Sequence, residues 1–152
     1  MDETYIRVKG EWRYLYRAVD KYGKTIDFLL TKQRDEQAAK KFLIKAIRCH
    51  GGVPEKITID GSAASEAAIK SYNAEHGTAI IIRQVKYLNH IVEQDYRAVK
   101  KVTRSMMGFK SFKAAQSPLT GIELMHMLRK GQLEGAKVEG LSAAEQFYAL
   151  AS

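Results

Sequence analysis

The sequence predicts a mixed α/β domain: one five-stranded sheet, an antiparallel meander extended by parallel strands, with helices on both faces. Three observations carry that prediction. The first 31 residues hold three β-rich runs separated by short glycine-bearing turns. The remainder alternates helical and strand-like periods, which adds parallel strands through right-handed crossovers. A hydrophobic content of 45% over 152 residues, including 8 Tyr, 5 Phe and 1 Trp, suffices for one compact core.

Residues 4–8, 12–19 and 25–31 are rich in Thr, Tyr, Ile, Val, Phe and Leu with partial period-two alternation, the pattern of half-buried strands. Lys9-Gly10-Glu11 and residues 20–24 are short enough for hairpin turns. From Asp35, a suitable N-cap, apolar residues recur as Ala38/Ala39, Phe42/Leu43 and Ala46/Ile47 until Gly51, Gly52 and Pro54 stop the helical period. Residues 56–60 form a β-branched run ending in Asp60. Gly61 and Ser62 supply a turn and N-cap before Ala64, Ala68, Ile69 and Tyr72 at helical spacing. A fifth strand is expected at 78–82. Leu88, Ile91, Val92, Val99 and Val102 then mark a long helix with no Gly or Pro before Gly108. Ile122, Met125 and Leu128 mark another. After a connector punctuated by Gly131, Gly135 and Gly140, Ser142-Ala143-Ala144-Glu145 reads as a capping box opening a last short helix.

Charge narrows the function. Twenty-five Lys and Arg against 17 Asp and Glu give a net charge of +8, which favours polyanionic partners. The segment Arg83–Lys113 holds eight of the basic residues and only Glu93 and Asp95 as acids, so most of the excess is local. Lys86, Arg97, Lys100, Lys101, Arg104 and Lys110 within it are the candidates for DNA contact. No stretch approaches the roughly 18 apolar residues of a membrane span, and the N-terminus lacks the apolar region of a secretory signal, so a cytoplasmic protein without a membrane partner is expected. One cysteine, Cys49, excludes an internal disulfide or a zinc-ribbon spacing. The four histidines are spread along the chain and suggest no metal set.

The carboxylates with chemical potential sit at strand ends or beside the basic segment: Asp2 or Glu3 on the first strand, Asp60 ending the fourth, and Glu93 on the long helix. If the fourth strand lies parallel beside the first, Asp60 and an acid of strand one become neighbours. Clustered carboxylates repel unless one is protonated or a cation lies between them, and oxygen-only ligands suit Mg²⁺ or Mn²⁺. Two such ions about 4 Å apart stabilise the attacking and leaving oxygens of a phosphoryl displacement. Structural roles are equally open at this point: Asp60 caps the following helix, and Glu93 complements a helix dipole. Arg97, Lys100, Lys101 and Arg104 fall at i+4, i+7, i+8 and i+11 from Glu93, along one broad helical face.

Several blocks carry a resemblance. Met1-Asp2-Glu3-Thr4-Tyr5-Ile6, Trp12-Arg13-Tyr14-Leu15-Tyr16-Arg17-Ala18-Val19-Asp20, Arg83-Gln84-Val85-Lys86-Tyr87-Leu88-Asn89, Val92-Glu93-Gln94-Asp95 and Gly108-Phe109-Lys110-Ser111-Phe112 resemble the catalytic domain of Asp-Asp-Glu transposases of bacterial insertion sequences, specifically the insertion-sequence-six family. The resemblance spans nearly the whole chain. It implies a ribonuclease-H-like fold, two Mg²⁺ or Mn²⁺ ions, and metal-dependent cleavage and joining of DNA strands at transposon ends and target, in the bacterial cytoplasm at the nucleoid. Matched position by position, Asp2, Asp60 and Glu93 become the catalytic, metal-binding triad. The expected organisation is a single catalytic domain over 1–152, without the helix-turn-helix segment that ordinarily precedes it in the family. Gly61, Tyr96 and Ser105 stand where Lys, His and Pro are common. Two other readings remain: a non-catalytic DNA-binding remnant with an incomplete metal site, the first strand being cut short, and a homodimer paired through Met-rich C-terminal helices.

Overall fold

A computed structural model describes residues 1–85, 96, 97, 99–102, 109–132 and 145. Strands β1 (Asp2–Val8), β2 (Glu11–Val19) and β3 (Thr25–Thr31) form the expected antiparallel meander, with Asp2 opposite Arg17 and Val8 opposite Glu11. The turn between β1 and β2 is two residues, Lys9 and Gly10, both at positive φ (51° and 80°). That backbone twist matches the strands it joins, and it explains a glycine at the second position. Helix α1 (Glu36–His50) starts on Asp35, whose carboxylate accepts the Ala38 amide at 2.7 Å, and ends on Gly51 at φ 82°. Strand β4 (Lys56–Ile59), helix α2 (Ala63–His76) and strand β5 (Ile81–Gln84) follow, β4 and β5 pairing in parallel. Helix α3 (Phe112–Arg129) begins on Ser111. Between β5 and α3, positions 96, 97 and 99–102 are helical, within the long helix the sequence marks, and position 145 is helical within the last.

The strand pairing differs in one respect from a single five-stranded ladder: it runs as three strands plus two. At the junction, the Met1 ammonium donates to the Thr58 carbonyl at 2.8 Å. The fifth strand also starts later than expected, at Ile81 rather than 78. The Asn73 side chain accepts from the Ile80 amide and the Thr78 hydroxyl and donates to the Ile80 carbonyl, so the end of α2 claims residues 78–80. Helix α3 reaches about three turns upstream of its apolar stripe, through Pro118 and Gly121, residues that a sequence pattern treats as breakers.

Strand β2 is buried on both faces. Tyr16 packs with Phe42 and Leu43 of α1 and Ile69 of α2, while Leu15 packs on the other face with Tyr96, Val99 and Leu119. These two layers are the helices on both faces. Across the second layer runs an ion pair between Arg17 of β2 and Glu123 of α3, both side chains fully buried, at 3.0 and 3.1 Å. The C-terminal end of α3 is tied to the meander by Gln132, whose side-chain amide pairs with the Thr25 N–H and carbonyl at 2.8 and 3.0 Å. A buried pair of this kind costs desolvation to assemble and more to break one side of. Glu123→Ala should therefore lower unfolding free energy by about 3–5 kcal/mol in denaturant titration. Arg17→Met with Glu123→Leu should recover most of that loss, and a cost below about 1 kcal/mol for Glu123→Ala would show that the pair does not hold α3.

Candidate active site

Asp2 opens β1 opposite Arg17, and its side chain is buried. Its carboxylate accepts the following Glu3 amide at 2.8 Å. Asp60 leaves the end of β4 into a turn where Gly61 adopts φ 90°, and it accepts the Ser62 amide at 3.2 Å. Ser62 in turn caps α2. Asp60, itself exposed, lies near enough to the buried Asp2 to act on its carboxyl. Burial, and after it the charge and hydrogen bond of Asp60, push the Asp2 carboxyl up from 3.8 to about 7, against the opposing pull of the Glu3 amide and the terminal ammonium. Glu3, the other acid of the first strand, does not join this pair: it forms an ion pair with Arg34.

Tyr96 holds the long helix against this strand. Its hydroxyl lies 2.8 Å from the Asp2 carbonyl and 3.1 Å from the Leu15 carbonyl, sharing its proton between two neighbouring strands. Burial and the nearby Asp2 raise the phenol well above its ordinary value, so it remains a donor. Val99, three residues on, is buried in the same layer, whereas Arg97, Lys100 and Lys101 face solvent. Lys110 is exposed just before α3. Glu93, Lys86 and Arg104 lie outside the described residues. Among the described residues no three His, Cys, Asp or Glu side chains gather in a metal-holding group. The thiol of Cys49, at the exposed end of α1, is held above its ordinary value by desolvation and by Asp27, the reverse of what a nucleophile needs.

The sequence marks Tyr96 as standing where His is common in the family, but neither the anchoring of its hydroxyl at Asp2 nor the Arg34 partnership of Glu3 was foreseen. A signal existed for Tyr96, which falls three residues before Val99 in the apolar stripe. Nothing in the sequence links residue 34 to residue 3.

Residues 1–132 match the family described as the DDE domain. The chain is 36% identical over 154 aligned residues to the transposase for insertion sequence-like element IS431mec of Staphylococcus aureus, covering 96% of this chain and 64% of that protein. The transposase for insertion sequence element IS257 in transposon Tn4003 of Staphylococcus aureus matches to the same extent. The chain belongs to the insertion-sequence-six family of DDE transposases. Two solved structures share the fold of this DDE domain. The HTLV-2 integrase catalytic core domain in complex with magnesium superimposes with a TM-score of 0.62 at 16% identity, over 95% of this chain and 90% of that one. The integrase of a simian T-cell lymphotropic virus intasome, in complex with a PP2A regulatory subunit, gives 0.61 at 20% identity, over 82% and 45%. Such likeness places the DDE domain in the ribonuclease-H-like class. It spans 64% of the length of its curated relatives.

The raised Asp2 carboxyl makes folding stability depend on pH with a definite sign. Below about pH 4 the group is protonated folded and unfolded alike. Between about 4 and 7 the folded protein keeps a proton that the unfolded chain releases, so stability falls as pH rises through this window and levels off above it. In metal-free buffer, Asp2→Asn should gain melting temperature relative to the parent protein as pH goes from 5 to 8. Parallel melting curves across that range would contradict the placement of Asp2 against Asp60.

Proposed function

We propose that this chain is the catalytic domain of a DNA transposase that cleaves and joins DNA strands with two bound Mg²⁺ or Mn²⁺ ions held by Asp2, Asp60 and Glu93. The observation that carries the reading is the approach of Asp60, at the end of β4, to the buried Asp2 of β1, whose carboxyl is raised to about 7 by burial and by that neighbouring charge. A donor set of carboxylate oxygens alone fits a hard divalent cation, which relieves that repulsion. Divalent ions bound there would stabilise the charge on the attacking and leaving oxygens of an in-line displacement at phosphorus.

The residues of the chain supply position. The Met1 ammonium and the Tyr96 hydroxyl fix the backbone on either side of the pair, and Asp2 sits within the β1–β2 ladder. That support favours catalysis over a remnant whose first ligand frays. Glu93 precedes Tyr96 by three residues, a spacing that shares one helical face, so the anchor of Tyr96 at Asp2 favours Glu93 as the third ligand. Arg97, Lys100, Lys101 and Lys110, with Lys86 and Arg104, would hold phosphates along the strand entering the site. The reaction requires hydrolysis of one P–O bond to free a 3′-hydroxyl, which then attacks a phosphodiester of the target DNA.

Asp60→Asn and Glu93→Gln should each reduce metal-dependent nicking of duplex DNA by more than about a hundredfold while leaving DNA affinity unchanged or slightly higher, because each removes negative charge without touching the core. Equal loss of binding and cleavage, with the fold intact by circular dichroism, would contradict the assigned roles. Lys100→Ala should weaken binding alike for unrelated sequences and reduce the slope of log K against log salt by about 0.9. An unchanged slope would remove this helix face from the DNA path.

A further inference from the structure

On the face of the β1–β2 hairpin that carries Tyr16 into the first core, Tyr14 packs at the core's edge and Tyr5, Arg7 and Trp12 lie exposed beyond it. Tyr5 and Arg7 of β1 stand opposite Tyr14 and Trp12 of β2, so all four project from one face, the reverse of the one that sends Ile6, Val8 and Leu15 into the second core. The Tyr5 ring meets Trp12 edge to face at 6.3 Å and Tyr14 at 5.5 Å. Trp12 is 56% exposed and Tyr5 45%. The Arg7 guanidinium lies 5.3 Å from the Trp12 ring centre and that of Arg34 lies 5.9 Å from Tyr5. Arg7 contacts the Gly10 carbonyl and has no carboxylate partner among the described residues.

We propose that this aromatic and arginine face is a stacking platform for single-stranded DNA. An apolar protein partner would have to strip water from both guanidinium groups, at a cost that grows with burial. A nucleotide brings the matching chemistry to both: a base with a π-face for the rings and a phosphate for Arg7. Tyr5 follows Asp2 by three residues on the same strand, so the two side chains leave opposite faces, and Arg34 lies over Tyr5 while pairing with Glu3, the acid that shares the face of Tyr5. The inference rests on the reading of this chain as acting on DNA, but it concerns a surface outside the carboxylate site.

Trp12 is the sole tryptophan, so indole emission reports this surface directly. Oligothymidylate added to the full chain without divalent metal should quench that emission saturably. An abasic oligomer of equal length and charge should bind about tenfold more weakly. Tyr5→Leu should weaken oligothymidylate binding on the order of tenfold and leave the abasic affinity alone. With a dye-labelled oligomer read by anisotropy, Trp12→Phe should retain the affinity and Trp12→Leu lose it. Unchanged emission at saturating oligomer, or equal affinity for the abasic chain, would overturn the platform. So would a concentration-dependent dimer that Trp12→Leu dissolves without altering oligomer affinity, which would assign the face to a second copy. Quenching that persists in Asp60→Asn supports the platform whatever that variant does to nicking, so the two readings fail separately.

Discussion

Two carboxylates from strands 58 residues apart in sequence meet because β4 approaches the start of β1, and the site depends on that approach. In the folded protein it begins with the Met1 ammonium on the Thr58 carbonyl and ends with Asp60 against Asp2. Bringing two like charges together is unfavourable by itself. The energy that enforces it comes from the cores on either side, where Ile59 of β4 and Tyr16 of β2 are fully buried in one layer and Leu15 in the other. Hydrophobic burial thus holds the Asp2 carboxyl beside Asp60 with its proton affinity raised, a cost that a divalent cation would release.

The second layer adds geometry to this force. Tyr96 joins the helix that continues into the basic segment to the backbone of Asp2 and Leu15. Arg17, opposite Asp2 in the ladder, reaches Glu123 on α3. The strand residue beside the candidate ligand is therefore locked to the C-terminal helix through a buried ion pair, and α3 is tied in turn to the β2–β3 hairpin by Gln132. Displacement of α3 would be felt at Asp2 through one cross-strand neighbour.

Much of this was legible in the sequence where local chemistry decides. Lys9-Gly10 specifies a two-residue turn, Asp35 and Ser62 specify helix starts, and the β-branched run ending at Asp60 specifies a strand that delivers a carboxylate to its end. What escaped depends on contacts between distant residues. The start of β5 is set by the Asn73 side chain, and α3 survives Pro118 because it packs through Ala115 and Leu119. The Arg17–Glu123 pair joins residues 106 apart, and neither residue looks buried by type. The triad was legible in part: a fourth strand beside the first would make Asp2 and Asp60 neighbours, whereas the burial of Asp2 and its raised proton affinity require the folded surroundings.

The most direct test of the account is a crystal structure of the protein equilibrated with Mn²⁺, read by anomalous scattering at the manganese edge. The account predicts a manganese peak between the carboxylates of Asp2 and Asp60, with a Glu93 oxygen within coordination distance of manganese at the site. Manganese bound elsewhere while Asp2 and Asp60 remain in direct contact at saturating Mn²⁺ would contradict it.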